Sequence, residues 1–471
     1  MLQNGDGNLE RALDAVRVQA RWLDVEVNEV EPVPVAPPDE VRAAIAEAFP
    51  FDEPHDLADL AGEVGDLLRR WTTHSTHPRY FGLFNPTVHS ASVVADALAA
   101  IYNPQVGGWS HGPAANEMER HTLNWLMRQF GYDPDRCYAN YTSGGSEANH
   151  TAVIAALVDR LPGFADGGAR AVAGQPRMYV SSESHHSFVK IARACGIGDS
   201  AVRFVPADPS YRMRGEQLAT AIDADRRAGD IPVLVVATVG TTGCGAIDPV
   251  GEIAEVCERE KLWLHADAAW GGSGVILPEL SKQFAGLDRT DSVTWDAHKW
   301  LSVSMGAGMF FTRHPQAVER SFGIHTSYVP KPHAGTIDQY QMTMQWSRRF
   351  IGLKVLMTIA NLGVEGLRNS LRHQVRMGDE LRKRLGEAGW IMANDTPLPL
   401  VCFTHPWIRE GSITTKQIVR LVLERRRAWI SDVLLGGDVP FVRTCITHFD
   451  TQPRDLEILV QELNLALSTA H

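Results

Sequence analysis

No apolar run in the chain approaches the roughly 18 residues that a membrane-spanning helix requires, and no block of like charges interrupts it. The first absence excludes a helical anchor. The second argues against nucleic acid and anionic membrane surfaces as partners, because both reward clustered Lys and Arg. Acidic residues outnumber basic ones, 56 to 45, for a formal net charge of −11. The six cysteines, Cys137, Cys195, Cys244, Cys257, Cys402 and Cys445, are scattered and form no CxxC pair. Such spacing supplies neither a disulfide framework nor a zinc site and reads as reduced thiols. The opening MLQNGDGNLERALDAV has no basic segment leading into an apolar one, so no secretion signal is expected. The expectation is a soluble, cytoplasmic protein, with the sequons at Asn140 and Asn149 as chance matches. Internal repeats are also missing. What remains, 471 residues of which 44% are hydrophobic, is enough for a large core and more than one domain.

The informative stretch is DSVTWDAHKW, residues 291–300. Its short run Ser292–Trp295 reads as a buried strand that delivers Asp296, His298 and Lys299 into the following loop. A second unit upstream, KLWLHADAAWGGS, ends in His265, Asp267 and Ala269. Open α/β sheets bind ligands at the carboxyl ends of parallel strands. A lysine amine for a Schiff base and a carboxylate to keep a ring nitrogen protonated suit pyridoxal 5'-phosphate. Taken singly, a His-Lys pair is ordinarily a solvated loop and a strand-end aspartate a helix cap.

Other segments narrow the chemistry. In TSGGSEANHTAV, residues 142–153, small residues precede an Ala-rich helix, so the free N–H groups of its first turn form a phosphate site. An ordinary Ser cap with Glu147 in the first turn is the bland alternative, and the two are compatible. PVLVVATVGTTGCGAIDPV, residues 232–250, is an apolar strand and a Gly/Thr loop without GxGxxG spacing, so a nicotinamide cofactor is not expected. Asp248 reads there as a cap for the next helix. His185 and His186 are adjacent and do not converge easily on one ion, and with no third ligand in register no metal is expected.

HADAAWGGS followed by DAHKW resembles the signature of the group II PLP-dependent amino-acid decarboxylases, the family of aromatic-L-amino-acid and glutamate decarboxylases. The match runs from about residue 10 to the end. It implies an α/β protein of PLP fold type I, with a mostly parallel seven-stranded sheet flanked by helices. An N-terminal helical dimerisation segment (1–84) would precede the large PLP-binding domain (85–356) and a small C-terminal α+β domain (357–471).

The resemblance makes Lys299 the Schiff-base lysine and Asp267 the partner of the ring nitrogen. Ala269 and His186 would sandwich the ring, with His186 preferred over His185. Thr242 would lie near the cofactor, and Gly145, Ser146 and His298 would hold its phosphate, with Ser143 nearby. Tyr328, in a Gly/Pro-rich loop, matches the proton donor. HPRYFGLFNPT, residues 77–87, contributes Tyr80, Phe84, Pro86 and Thr87 to the substrate pocket, joined by Trp109. Gly107-Gly108 falls where relatives can carry a bulky residue and suggests extra room. Arg443 matches a position near the site. The implied activity is decarboxylation of an L-amino acid, aromatic or large and apolar, by a homodimer. An oxygen-dependent aldehyde synthase, a transaminase or desulfurase of the same fold, and a catalytically silent scaffold stay as alternatives.

Overall fold

A computed structural model describes residues 8–52, 54–84, 87–324 and 334–471. Among them, seven strands form one sheet: β1 (Tyr138–Thr142), β2 (Pro176–Ser181), β3 (Val202–Val205), β4 (Ile231–Thr238), β5 (Trp263–Asp267), β6 (Ser292–Asp296) and β7 (Gly308–Thr312). Their order is β1-β7-β6-β5-β4-β2-β3. Only β7 runs against its neighbours, pairing antiparallel with both β1 and β6. This is the mostly parallel sheet of PLP fold type I.

The strands read as nearly unbroken apolar runs because helices cover both faces. Alternation still sorts the side chains. On β2, Tyr179 joins the core under helices Pro113–Gln129 and Val250–Glu260, while Met178 and Val180 face helices Gly145–Arg160 and Ser187–Ala194. Trp263 and Trp295 are fully buried, and burial of a large apolar side chain contributes about 1.5–3 kcal/mol. Register aligns the strand ends that matter. Thr238 pairs with Asp267, Asp267 with Thr294, and both Asp296 and Thr142 with Gly308. The carboxyl ends of β1, β4, β5 and β6 and the amino end of β7 therefore meet at one edge.

A second, antiparallel sheet has the order β10-β11-β9-β8, with β8 Ile391–Met392, β9 Leu400–Thr404, β10 Ser431–Leu435 and β11 Val439–Cys445. Its core is closed by helices Thr415–Glu424 and Pro453–Ala470. The 36-residue helix Gly352–Glu387 carries the chain towards it and breaks at Gly363, whose φ of 64° is left-handed. The expected boundary at 356/357 falls inside this helix, one turn or two before the break. Upstream, Phe81 N–H donates to Trp429 O and Cys445 N–H to Phe81 O, which stitches the 79–81 stretch onto the small sheet. That stitch brings Phe84 and Arg443 together beside the large sheet.

Candidate active site

The strand ends enclose a cavity of about 360 Å³ lined by Lys299, Asp267, Ala269, Thr242, Gly145 and Ser146, among others. Ser143, His298, Asp296 and His185 also line it. Lys299 follows β6 directly, and its Nζ lies 3.1 Å from Asp296 Oδ2. Asp267, the last residue of β5, is 5% exposed. Its Oδ2 accepts from Asn149 Nδ2 at 2.9 Å and its Oδ1 from the Ala269 N–H at 3.2 Å. Asn149 Oδ1 in turn meets His265 Nε2 at 3.0 Å, and His265 Nδ1 meets Ser292 Oγ at 2.9 Å. Burial pushes the His265 imidazole down to about 4, against the pull of Asp267. The His265 ring is thus neutral.

The opposite end of the cavity is the start of helix Gly145–Arg160, where the first N–H groups lack intrahelical partners. A Cβ on Gly145 would lie 2.8 Å from Asp296 Oδ2 and 3.1 Å from Ala269 Cβ, so only glycine fits this cradle. Ser143 donates from N and Oγ to Glu147 Oε2, at 2.8 and 2.7 Å, which closes the loop before the helix. His298 Nδ1 accepts from the Ala307 N–H at 3.1 Å, leaving Nε2 to carry the proton on the cavity side. A lysine amine, a buried carboxylate and a glycine-rich helix start on one cavity fit pyridoxal phosphate: amine for the aldehyde, carboxylate for the ring nitrogen, N–H groups for the phosphate.

Several expected residues stand elsewhere. His185 lines the cavity, whereas His186 sits at the cap position of helix Ser187–Ala194, exposed and on the side of Glu183. Of the pair, the residue preferred from the resemblance, His186, does not line the cavity, and His185 does. Tyr80 packs on Trp429 with ring centroids 5.0 Å apart, and its hydroxyl accepts from the Leu83 N–H. Trp109 lines a separate recess with Arg120 and Tyr138, and its Nε1 donates to Glu117. Neither reaches this cavity within the chain. Phe84 does come near: it stacks on Trp270, with Lys299 Nζ 5.7 Å and Arg443 Cζ 5.1 Å from its ring. Thr87 is buried. Pro86 and Tyr328 lie outside the described residues. Gly107 does not open a pocket, since a Cβ there would collide with the Trp346 carbonyl oxygen.

Asn149 was not singled out, and His265 and Asp296 were named at their strand ends without a role. The signals existed: Asn149 is one helical turn beyond Gly145, and His265 shares a strand face with Asp267 by period two. Arg443 is 3% exposed, donates to the carbonyls of Thr242 and Gly82, and keeps Nη2 without a partner.

Comparison with known proteins agrees with this geometry. Residues 38–405 match the pyridoxal-dependent decarboxylase conserved domain. The chain is 28% identical to the aromatic-L-amino-acid decarboxylase of Bacillus atrophaeus, over 91% of this chain and 89% of that one. It is 32% identical to the tyrosine decarboxylase of Oryza sativa subsp. japonica, over 77% and 70%. A 3,4-dihydroxyphenylacetaldehyde synthase of Drosophila melanogaster is 29% identical over 88% and 83%. Oryza sativa TDC, solved with PLP and tryptamine, superposes with a TM-score of 0.91 at 24% identity, covering 100% of this chain and 99% of that one. The chain belongs to the pyridoxal-dependent decarboxylase family, enzymes that act on amino acids with pyridoxal phosphate as cofactor.

Proposed function

We propose that this enzyme removes the α-carboxylate of an aromatic L-amino acid and releases the amine and carbon dioxide. The observation that carries the proposal is the convergence of Lys299, Asp267 and the Gly145 helix start on one cavity. Pyridoxal phosphate supplies the electron sink when bound. The chain supplies placement and charge. Lys299 would hold the cofactor through its amine and give up that place to the substrate's amine, and Asp267, braced by Asn149, would hold a proton at the ring nitrogen. His185 and Ala269 fix the ring plane from either side, and Thr242 borders it. Gly145, Ser146, Ser143 and His298 bind the phosphate. The unpartnered Arg443 Nη2 beside Phe84 is suited to a substrate carboxylate, which it would hold where the bond to Cα can stand across the ring plane. The resemblance assigns return of a proton to Cα to Tyr328.

An aromatic substrate is supported by the Phe84–Trp270 stack and by the named substrates of the relatives. The exposed stripe of helix Asn8–Asp24, with Leu13 44% and Val16 51% exposed, supports a homodimer in which the N-terminal segment packs on a second copy. Among the described residues no helix is long and apolar enough to cross a membrane, and cytoplasmic residence is proposed with it. A second reading, oxygen-dependent conversion to an aldehyde, is supported by the 29% identity to the 3,4-dihydroxyphenylacetaldehyde synthase.

One incubation separates the two. Purified protein with pyridoxal phosphate and mixed aromatic L-amino acids is followed for carbon dioxide, oxygen, ammonia and amine, with Lys299→Ala as the blank. Equal amine and carbon dioxide without oxygen uptake is the expected result. Aldehyde and ammonia with oxygen uptake would replace the first reading by the second and remove Tyr328 as an effective donor.

A further inference from the structure

Asp296, the last residue of β6, is 1% exposed and lines the cavity. Its Oδ2 lies 3.1 Å from Lys299 Nζ and 3.8 Å from His298 Nε2, while its Oδ1 is buried without a hydrogen-bond partner. The 2.8 Å approach of Oδ2 to a Cβ position on Gly145 sets this carboxylate against the very helix start that suits a phosphate. Two anions would then meet at one buried helix end. Lys299, the cation beside Asp296, is the residue whose nitrogen the cofactor engages. A pair of acids brought together in this way cannot both stay fully ionised, and one proton is retained between them.

We propose that Asp296 takes up one proton when the cofactor's phosphate enters, and that the neutral acid donates its O–H to a phosphate oxygen. The inference rests on the cofactor assignment above. The proton comes from solvent, the only bond formed at Asp296 is O–H, and the phosphate keeps its charge.

The groups that face Asp296 do not remove the need for that proton. Lys299 and His298 come from its own loop, His185 from the loop after β2, Asp267 from β5 and Glu147 from helix Gly145–Arg160. Burial holds His185 and His298 below the ordinary imidazole range, so both are neutral near pH 7.5. Asp267 and Glu147 add negative charge. Lys354 is committed to the Met305 carbonyl and Asp96.

The test uses pyridoxal 5'-phosphate itself, so that Lys299 is engaged alike in the proteins compared and the difference between them isolates Asp296. Calorimetric titration at pH 7.5, in two buffers of different ionisation enthalpy, gives the protons taken up per site. The unaltered chain is expected to take up about one proton more than Asp296→Asn, whose amide donates without titrating. Between pH 6.5 and 8.5 its affinity should fall about tenfold per unit relative to that variant. Equal uptake by the two proteins, or binding by Asp296→Asn more than tenfold weaker at pH 7.5, would overturn the proposal. Asp296→Ser, which also cannot titrate, replaces the amide variant as the reference if that variant does not fold, and uptake equal to that of the unaltered chain overturns the proposal. Failure of the probe to bind at all would overturn the cofactor assignment along with it.

Discussion

The two ends of the cavity hold carboxylates in opposite conditions. At the ring end, both oxygens of Asp267 are supplied, one by Asn149 and one by the Ala269 N–H. At the phosphate end, Asp296 has a lysine on one oxygen and nothing on the other. A carboxylate whose hydrogen bonds are complete before any ligand arrives stays ionised and fixed, which suits a lasting partner for a ring nitrogen. A carboxylate left half-supplied in a buried site changes state when a ligand arrives. Identical chemical groups, one strand apart, are thus set to different tasks by what surrounds them.

The largest break of this comparison should come from Asp267→Asn. It removes the charge at the ring end while keeping the shape, and kcat should fall on the order of 10²–10³, as for loss of one preorganised electrostatic partner. The absorbance of bound cofactor checks that binding persists. If Asp296→Asn lowers kcat more than Asp267→Asn does, the assignment of the two ends is wrong.

A smaller effect is expected from Asn149→Ala, which leaves Asp267 ionised but takes away one donor and orphans His265. A hydrogen bond to a charged group contributes roughly 1.5–3 kcal/mol, so kcat/KM should drop about tenfold to a hundredfold. Asn149→Asp would place a second anion beside Asp267 and should be worse than alanine. Steady-state kinetics on the three proteins decides, and an alanine variant with full activity would show that the Asn149–His265 chain does not brace Asp267.

The smallest effect concerns stability and lies far from the cavity. Burial pushes His448 down to about 4, and its ring is fixed between the Thr76 carbonyl and the Asp450 N–H. The unfolded chain binds a proton at this residue near pH 6.5 and the folded chain does not until about 4. Stability therefore falls as pH drops through that window, by up to about 1.4 kcal/mol per pH unit. Urea denaturation at pH 7.5, 6 and 5 should show the unaltered protein losing stability faster than His448→Asn. Parallel losses would mean that His448 is protonated in the fold.

Legibility in the sequence followed the range of the interaction. The strands ending at Asp267 and Asp296 and the helix begun by Gly145 rest on apolar runs and a small-residue turn, which are local. The acidic residue expected to cap helix Val250–Glu260 shows the limit. Asp248 instead accepts from the N–H groups of Met213 and Thr238, both at 2.7 Å, and ties the end of β4 to a distant turn. Burial raises it to about 7. Gly107-Gly108 failed in the same way: a glycine pair reads as room, but the neighbour that fills it, Trp346, is remote in sequence.

By itself the sequence determined the α/β architecture, the lysine and aspartate at successive strand ends, the helix begun by small residues at Gly145 and the absence of a long apolar run. Each depends on residue type and on periods of two or 3.6. Only the tertiary structure decided that His185 and not His186 faces the cavity, that Asn149 braces an aspartate 118 residues away, and that one oxygen of Asp296 is left without a donor. Those outcomes depend on which way a turn splays its side chains and on contacts between segments remote in the chain, and no local pattern encodes either.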